Sequence, residues 1–362
     1  MDITKPYLLI LPGVISLFLC HFFFFELSVF VVLNSFLVLF LFSTVSYFLM
    51  FFLGLNRSVS MAAISELVRK TRKFNVIFIL ILIFCFLASA FLVLKFSMKF
   101  GFLSIFMNAS LLQENAISNS LGNFLYFNVF LFPVLFLLTF YKSKWYMFLL
   151  VFSFFFLYFT GIKSYIFQSF ALLGLLLLSG KRISSLMLYS LLFLSLLFLY
   201  FFIYDVFIDL SSDSVRHSMN RFLSYYSGSW GTYHYYLIDG LESPYPGLTV
   251  FYPFYKVMFM GQVTLDEYYR FYDVSGFQLN VVPIFQLAYL EGGFLLQLFF
   301  VFILSFFYIF IRFLCLKFEN NIFFRVCLFF YCSTFIISSF FLNVFQGLPI
   351  YISIFFFYFF FF

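Results

Sequence analysis

Long apolar runs broken by short charged connections dominate the chain, and one long polar stretch, residues 205–278, stands apart from them. A helix needs about 20 apolar residues to cross about 30 Å of hydrocarbon. Ten stretches reach or approach that length: 7–25, 29–53, 74–94, 121–141, 145–160, 165–179, 183–204, 279–312, 322–342 and 349–362. This pattern predicts an all-α polytopic membrane protein with about ten transmembrane helices. It divides into seven spans in 1–204, one large loop at 205–278 and three spans in 279–362. The first run follows Lys5, has no small-residue cleavage site and leads at once into the second, so it reads as a retained span.

The stretch 279–312 is too long for one ordinary span and too short for two, and it carries Glu291-Gly292-Gly293. Two full spans there would put Arg312, Lys317 and Arg325 on the wrong side. The expectation is therefore a half-helix over 279–290, a Gly-Gly break and one full span, with the break lining a cavity where freed backbone groups find partners.

Charge sets the orientation. Lys5, Arg57, Arg69, Lys70, Arg72, Lys73, Lys142, Lys144, Lys181, Arg182, Arg312, Lys317 and Arg325, thirteen of the twenty Lys and Arg residues, fall on one side, which becomes the cytoplasm. Both termini then lie inside and the polar island outside. The net charge of +6 is thus read as topology rather than as the footprint of nucleic acid. With 65% apolar and 9% charged residues, the soluble globular class is excluded. The 71 Phe residues read as lipid-facing filler. All five Cys lie in or beside apolar runs, so neither a disulfide framework nor a thiolate metal site is expected.

The island holds eight of the fourteen acidic residues, eleven tyrosines and His217 and His234. Over 212–226, Val215, Met219, Phe222, Leu223 and Tyr226 share one helical face. Asp213, Arg216, His217, Asn220, Arg221 and Ser224 share the other. Ser212 or Asp213 would cap this helix and Gly228 would end it. The basic face either contacts lipid phosphates or lines a site. Tyr225, Tyr226, Trp230, Tyr233, His234, Tyr235 and Tyr236 form either an interfacial aromatic belt or a platform for sugar rings, and His234 by itself reads as a hydrogen-bonded structural histidine. Pro244, Pro246-Gly247 and Pro253 predict turns, and a second short helix is expected over 265–273, carrying Asp266, Glu267 and Arg270. The adjacent acids read as a helix start or as part of a divalent-metal site, although no D-x-D occurs. Lys163, in a very short connection, and Glu291, at the break, are ionisable groups near the membrane surface; they are functional candidates or a positioning pair.

Three segments carry a resemblance: Arg221-Phe222-Leu223-Ser224-Tyr225-Tyr226, Pro246-Gly247-Leu248-Thr249-Val250-Phe251-Tyr252-Pro253, and Gly276 to Gly293 with Asn280 and Glu291 inside it. With the span order and the late outer loop, the chain resembles the Wzy-type O-antigen polymerases, the oligosaccharide repeat-unit polymerases. Lys163 stands where such proteins often have Arg, and Glu291 where Asp is common. The resemblance implies a GT-C-like architecture in the bacterial inner membrane and metal-independent glycosyl transfer without a cofactor at the periplasmic face. Its substrates would be donor and acceptor glycans on undecaprenyl diphosphate. Arg221 with Arg216, Arg270 and Lys163 would neutralise the diphosphate leaving group. Glu291, His217 or His234 would act as base. Tyr225, Tyr226, Trp230, Tyr233 and Asn280 would hold sugars. A flippase and a chain-length regulator of the same pathway are the implied protein partners, along with membrane lipid. The alternatives are a lipid-linked oligosaccharide flippase or other transporter, an O-antigen ligase and a membrane O-acyltransferase.

Overall fold

The computed structural model describes residues 5–56, 76–101, 128–141, 143–159, 168–170, 172–174, 176, 214–241, 247–252, 255, 258–259, 270–279, 282–317, 332–334 and 336. Within these residues the chain is a helical membrane protein. Four helices are long and apolar enough to span a bilayer: Pro6–Phe24, Val29–Phe52, Ile83–Phe100 and Ile284–Leu316. We label the helices α1 (Pro6–Phe24), α2 (Val29–Phe52), α3 (Val76–Phe100), α4 (Asn128–Tyr141), α5 (Tyr146–Phe159), α6 (Ser214–Asp239) and α7 (Ile284–Lys317). The seventh and tenth expected spans lie outside the described residues, and the sixth and ninth are described only in part.

The helices turn polar residues inward and Phe outward, as a lipid solvent demands. On α2, Val31, Ser35, Val38, Phe42, Ser46 and Met50 recur every three or four residues and are buried, while Leu33, Phe36, Phe40, Phe48 and Phe51 are exposed. Ser28 caps the helix by accepting a hydrogen bond from the Val31 amide. Side-chain amides hold the bundle together. Asn128 donates to Ser89 and accepts from Ser153, joining α3, α4 and α5. In hydrocarbon such bonds contribute about 1 kcal/mol each.

The break expected in α7 is present, and it is more than a kink. Gly292 has φ −146° and ψ 17°, Gly293 φ 66° and ψ −163°. Phe285 and Phe300 have ring centroids 6.2 Å apart. In a straight helix their 15-residue separation would span about 22 Å, at about 1.5 Å per residue. Gln286 donates to Ser35 and Gln297 to Asn34, adjacent residues of α2. The chain therefore doubles back at Gly292-Gly293, and two antiparallel segments share one face of α2. The first is buried all round, Val282 to Ala288 included, which a short re-entrant helix requires.

Three expectations need correction. The half-helix begins at Ile284 rather than 279, because Phe277–Leu279 is a strand, β2, paired antiparallel with Tyr272–Val274, β1. The turn between them has Ser275 at φ 53° and Gly276 at φ 83°, the paired positive values of a type I′ turn. Of the expected 265–273 helix, the described residues 270–273 are irregular and then strand, so no helix occupies them. Arg312, counted as a cytoplasmic loop charge, is inside α7 and fully buried; its guanidinium donates to the Leu55 carbonyl and the Tyr308 hydroxyl. It ties the end of α2 to α7.

Candidate functional site

The island does not float above the bundle. Helix α6 continues through Gly228 to Asp239 and stops where Gly240 takes φ 78°, with its amide bonded to the Tyr236 carbonyl. Gly228 was expected to terminate the helix, but it is instead a point of close approach. A Cβ there would lie 2.3 Å from Leu279 Cδ1, and one on Gly231 would lie 2.5 Å from Val274 Cγ1. Missing Cβ atoms let α6 sit against the hairpin and the end of α1. Ser224, expected on the polar face, is buried, whereas Asn220 of that face is exposed.

Two expected sugar-stacking residues are anchors. Trp230 is fully buried and donates from Nε1 to Ser16 Oγ at 3.0 Å. Tyr233, equally buried, donates to Asn34 Oδ1 at 3.1 Å, and Asn34 exchanges two hydrogen bonds with Gln297. A ring enclosed on both faces cannot stack on a sugar. The network locks α6, α2 and α7 into one unit, and low-dielectric surroundings strengthen each of its bonds. His234 is half-buried; its Nδ1 accepts from the Ser28 amide at 3.1 Å, and burial lowers its pKa.

Arg270 is exposed, and its backbone is clamped by one phenol. Tyr236 Oη accepts from the Arg270 amide at 2.7 Å and donates to its carbonyl at 3.1 Å. Beside it, Tyr235 stacks on Tyr272 with centroids 5.2 Å apart and planes within 3°. Burial, with the Asp239 carboxylate alongside, pushes the Tyr272 phenol up to about 12. The partly exposed Tyr235-Tyr272 pair beside Arg270 is the arrangement that sequence reasoning missed. Only the hairpin register could have revealed it.

Glu291 sits at the tip of the α7 reversal. Its Oε1 accepts the Thr249 amide at 2.8 Å. The Gly247–Val250 turn that presents this amide has Gly247 at φ 76° and is buried throughout. Phe251 packs on Phe300 just below. The described residues 247–252 and the Glu291-Gly292-Gly293 segment are thereby joined through the Thr249–Glu291 bond.

Arg216, His217, Arg221, Tyr225 and Tyr226 lie on α6, and their side chains are outside the described residues, as are Lys163, Asn280, Asp266 and Glu267. Among the candidates, the structure brings together Glu291 with the island turn, and Arg270 with the α6 end.

No protein-family model, curated protein or solved structure matches the chain.

Proposed function

We propose that this chain is an oligosaccharide repeat-unit polymerase of the bacterial inner membrane, moving a glycan from undecaprenyl diphosphate onto a newly exported lipid-linked unit. The observation that carries the reading is the Thr249–Glu291 bond, because it joins two of the three segments on which the resemblance rests. The third, around Arg221, lies on α6, whose later turns are fixed to α1, α2 and α7. Such an island has a rigid floor, which transition-state stabilisation by positioned cations needs.

In this reading the diphosphate leaves against Arg221 with support from Arg216, Arg270 and Lys163. Its developing charge is neutralised without a metal. The large loop faces the periplasm and both termini face the cytoplasm; a flippase supplies substrate and a chain-length regulator sets product size. The test is a defined undecaprenyl-diphosphate repeat unit incubated with purified protein. Dimers and longer products are expected, and a chain that yields none, while inserted and folded, is not a polymerase.

Glu291 acts in this scheme as the anchor of the Gly247–Val250 turn. Glu291→Gln keeps an acceptor for the Thr249 amide and is expected to retain polymerisation within about tenfold. Glu291→Leu leaves that buried amide without its acceptor and is expected to cost about 1–3 kcal/mol of stability, read as a lower Tm. Inactive, fully stable Glu291→Gln protein would instead make the carboxylate a base.

The re-entrant segment favours a second reading, a transporter of lipid-linked oligosaccharide, since broken helices inside a bundle line substrate paths in transporters. Liposomes separate the two. A transporter moves the intact repeat unit across the bilayer and makes no dimer.

A further inference from the structure

Two imidazoles, far apart in the sequence, hold neighbouring backbone amides. His21 lies in the π-helical last turn of α1, Cys20–Phe24, and its Nδ1 accepts the Leu27 amide at 3.2 Å. His234 Nδ1, from α6, accepts the next amide, Ser28, at 3.1 Å. Both bonds close on the 25–28 connection between α1 and α2, and Ser28 is also the cap of α2. The hairpin braces the same corner, where Ser275 Oγ donates to the Phe24 carbonyl.

A backbone N–H has only a proton to offer, so each Nδ1 must present its lone pair. Protonation puts the ring's second proton on that atom. The two donors then face each other and the bond is lost, once for each ring.

We propose that His21 and His234 form an acid-labile clasp on the α1–α2 connection, His21 holding it to the end of α1 and His234 to α6, which is closed when both rings are neutral and opens when they are protonated. The rings touch aromatic neighbours, His21 against Phe22 and His234 against Phe25 and Tyr235. The charged and titratable groups on the surrounding elements are Glu26 in the connection, Cys20 on α1, Tyr235 and Asp239 on α6, and Arg270, Tyr272 and Asp273 at the hairpin. Several of these are already engaged: Asp273 accepts the Gly276 amide, Asp239 pairs with the Tyr272 phenol, Tyr235 stacks on Tyr272, and Cys20 lies against the Phe25 carbonyl.

The sign follows from the geometry. Burial lowers the His234 pKa in the fold, so the unfolded chain binds protons first as pH falls. The His234 bond is complete above the ordinary imidazole range, about 6.5, and weakens as pH drops below it. Loosening it releases the 25–28 connection, while the Tyr233–Asn34 bond still holds α6 to α2, so the change is local to this corner.

Hydrogen–deuterium exchange of the full-length protein in zwitterionic nanodiscs tests this. The Leu27 and Ser28 amides, corrected for intrinsic exchange, are expected to lose at least about tenfold protection between pH 8 and pH 5. In the His21→Asn/His234→Asn variant, Oδ1 replaces Nδ1 as an acceptor that does not titrate, and protection should persist at both pH values. Equal protection of the wild type at both values overturns the clasp. So does the same acid loss in the double variant, which would assign it to carboxylates such as Glu26 or Asp239. Should the double variant not fold, 15N-histidine spectra of the wild type decide: two imidazoles must titrate with the same midpoint as the exchange change, and titration without that change overturns the proposal.

Discussion

Arg221→Ala is expected to lower polymerisation by about 100- to 1,000-fold, the usual cost of removing one positioned donor from a developing negative charge. In cells the lipopolysaccharide ladder would disappear and a single repeat unit would remain, with the protein inserted at its normal level. Arg221 lies nine residues before Trp230 on α6, about 13 Å along the axis at about 1.5 Å per residue. The Trp230–Ser16 and Tyr233–Asn34 bonds, which the mutation leaves in place, fix the helix beyond that point. Arg221→Lys should recover part of the activity only, because an ammonium offers a point charge where a guanidinium grips two oxygens. A normal ladder from well-inserted Arg221→Ala protein would take Arg221 out of the site.

Gly293→Val is expected to have the largest effect on the fold. At φ 66° and ψ −163° a β-branched residue is strained by about 1–3 kcal/mol even where, as here, its Cβ meets nothing within 4 Å. At Gly292 the obstacle is packing, since a Cβ would lie 2.7 Å from Leu296 Cβ, which is no flexible tip. With the reversal lost, the segment before Gly292 could not lie beside Phe300, and the Gln286–Ser35 and Glu291–Thr249 bonds would both go. Purified Gly292→Val/Gly293→Val protein should aggregate, or melt well below the wild type, in a size-exclusion thermal series. An unchanged melting curve would show that the reversal is not built on these glycines.

The break in α7 was legible because three independent signals met at one place: an apolar run of the wrong length, a charge parity that forbade two spans, and a Gly-Gly pair. The reversal of direction was not, since no local pattern records which two segments lie side by side. Trp230 and Tyr233 failed as sugar contacts for a related reason. An aromatic cluster looks the same in a membrane belt, a carbohydrate platform or a core, and the deciding partners, Ser16 and Asn34, are about two hundred residues away. Gly228 misled in another way. Its usual role at a helix end gave way to a tertiary contact, the close approach of Leu279. The hairpin was hidden because strands of three residues are too short for an alternating pattern to declare itself.

The Asn34–Gln297 pair also sets a schedule. Its members are separated by 263 residues, and at ribosomal rates of about 5–20 residues per second Asn34 reaches the bilayer roughly 13–50 s before its partner is made. Tyr233, the other partner of Asn34, is made earlier, so the amide gains its first bond when α6 docks and the Gln297 pair completes the set.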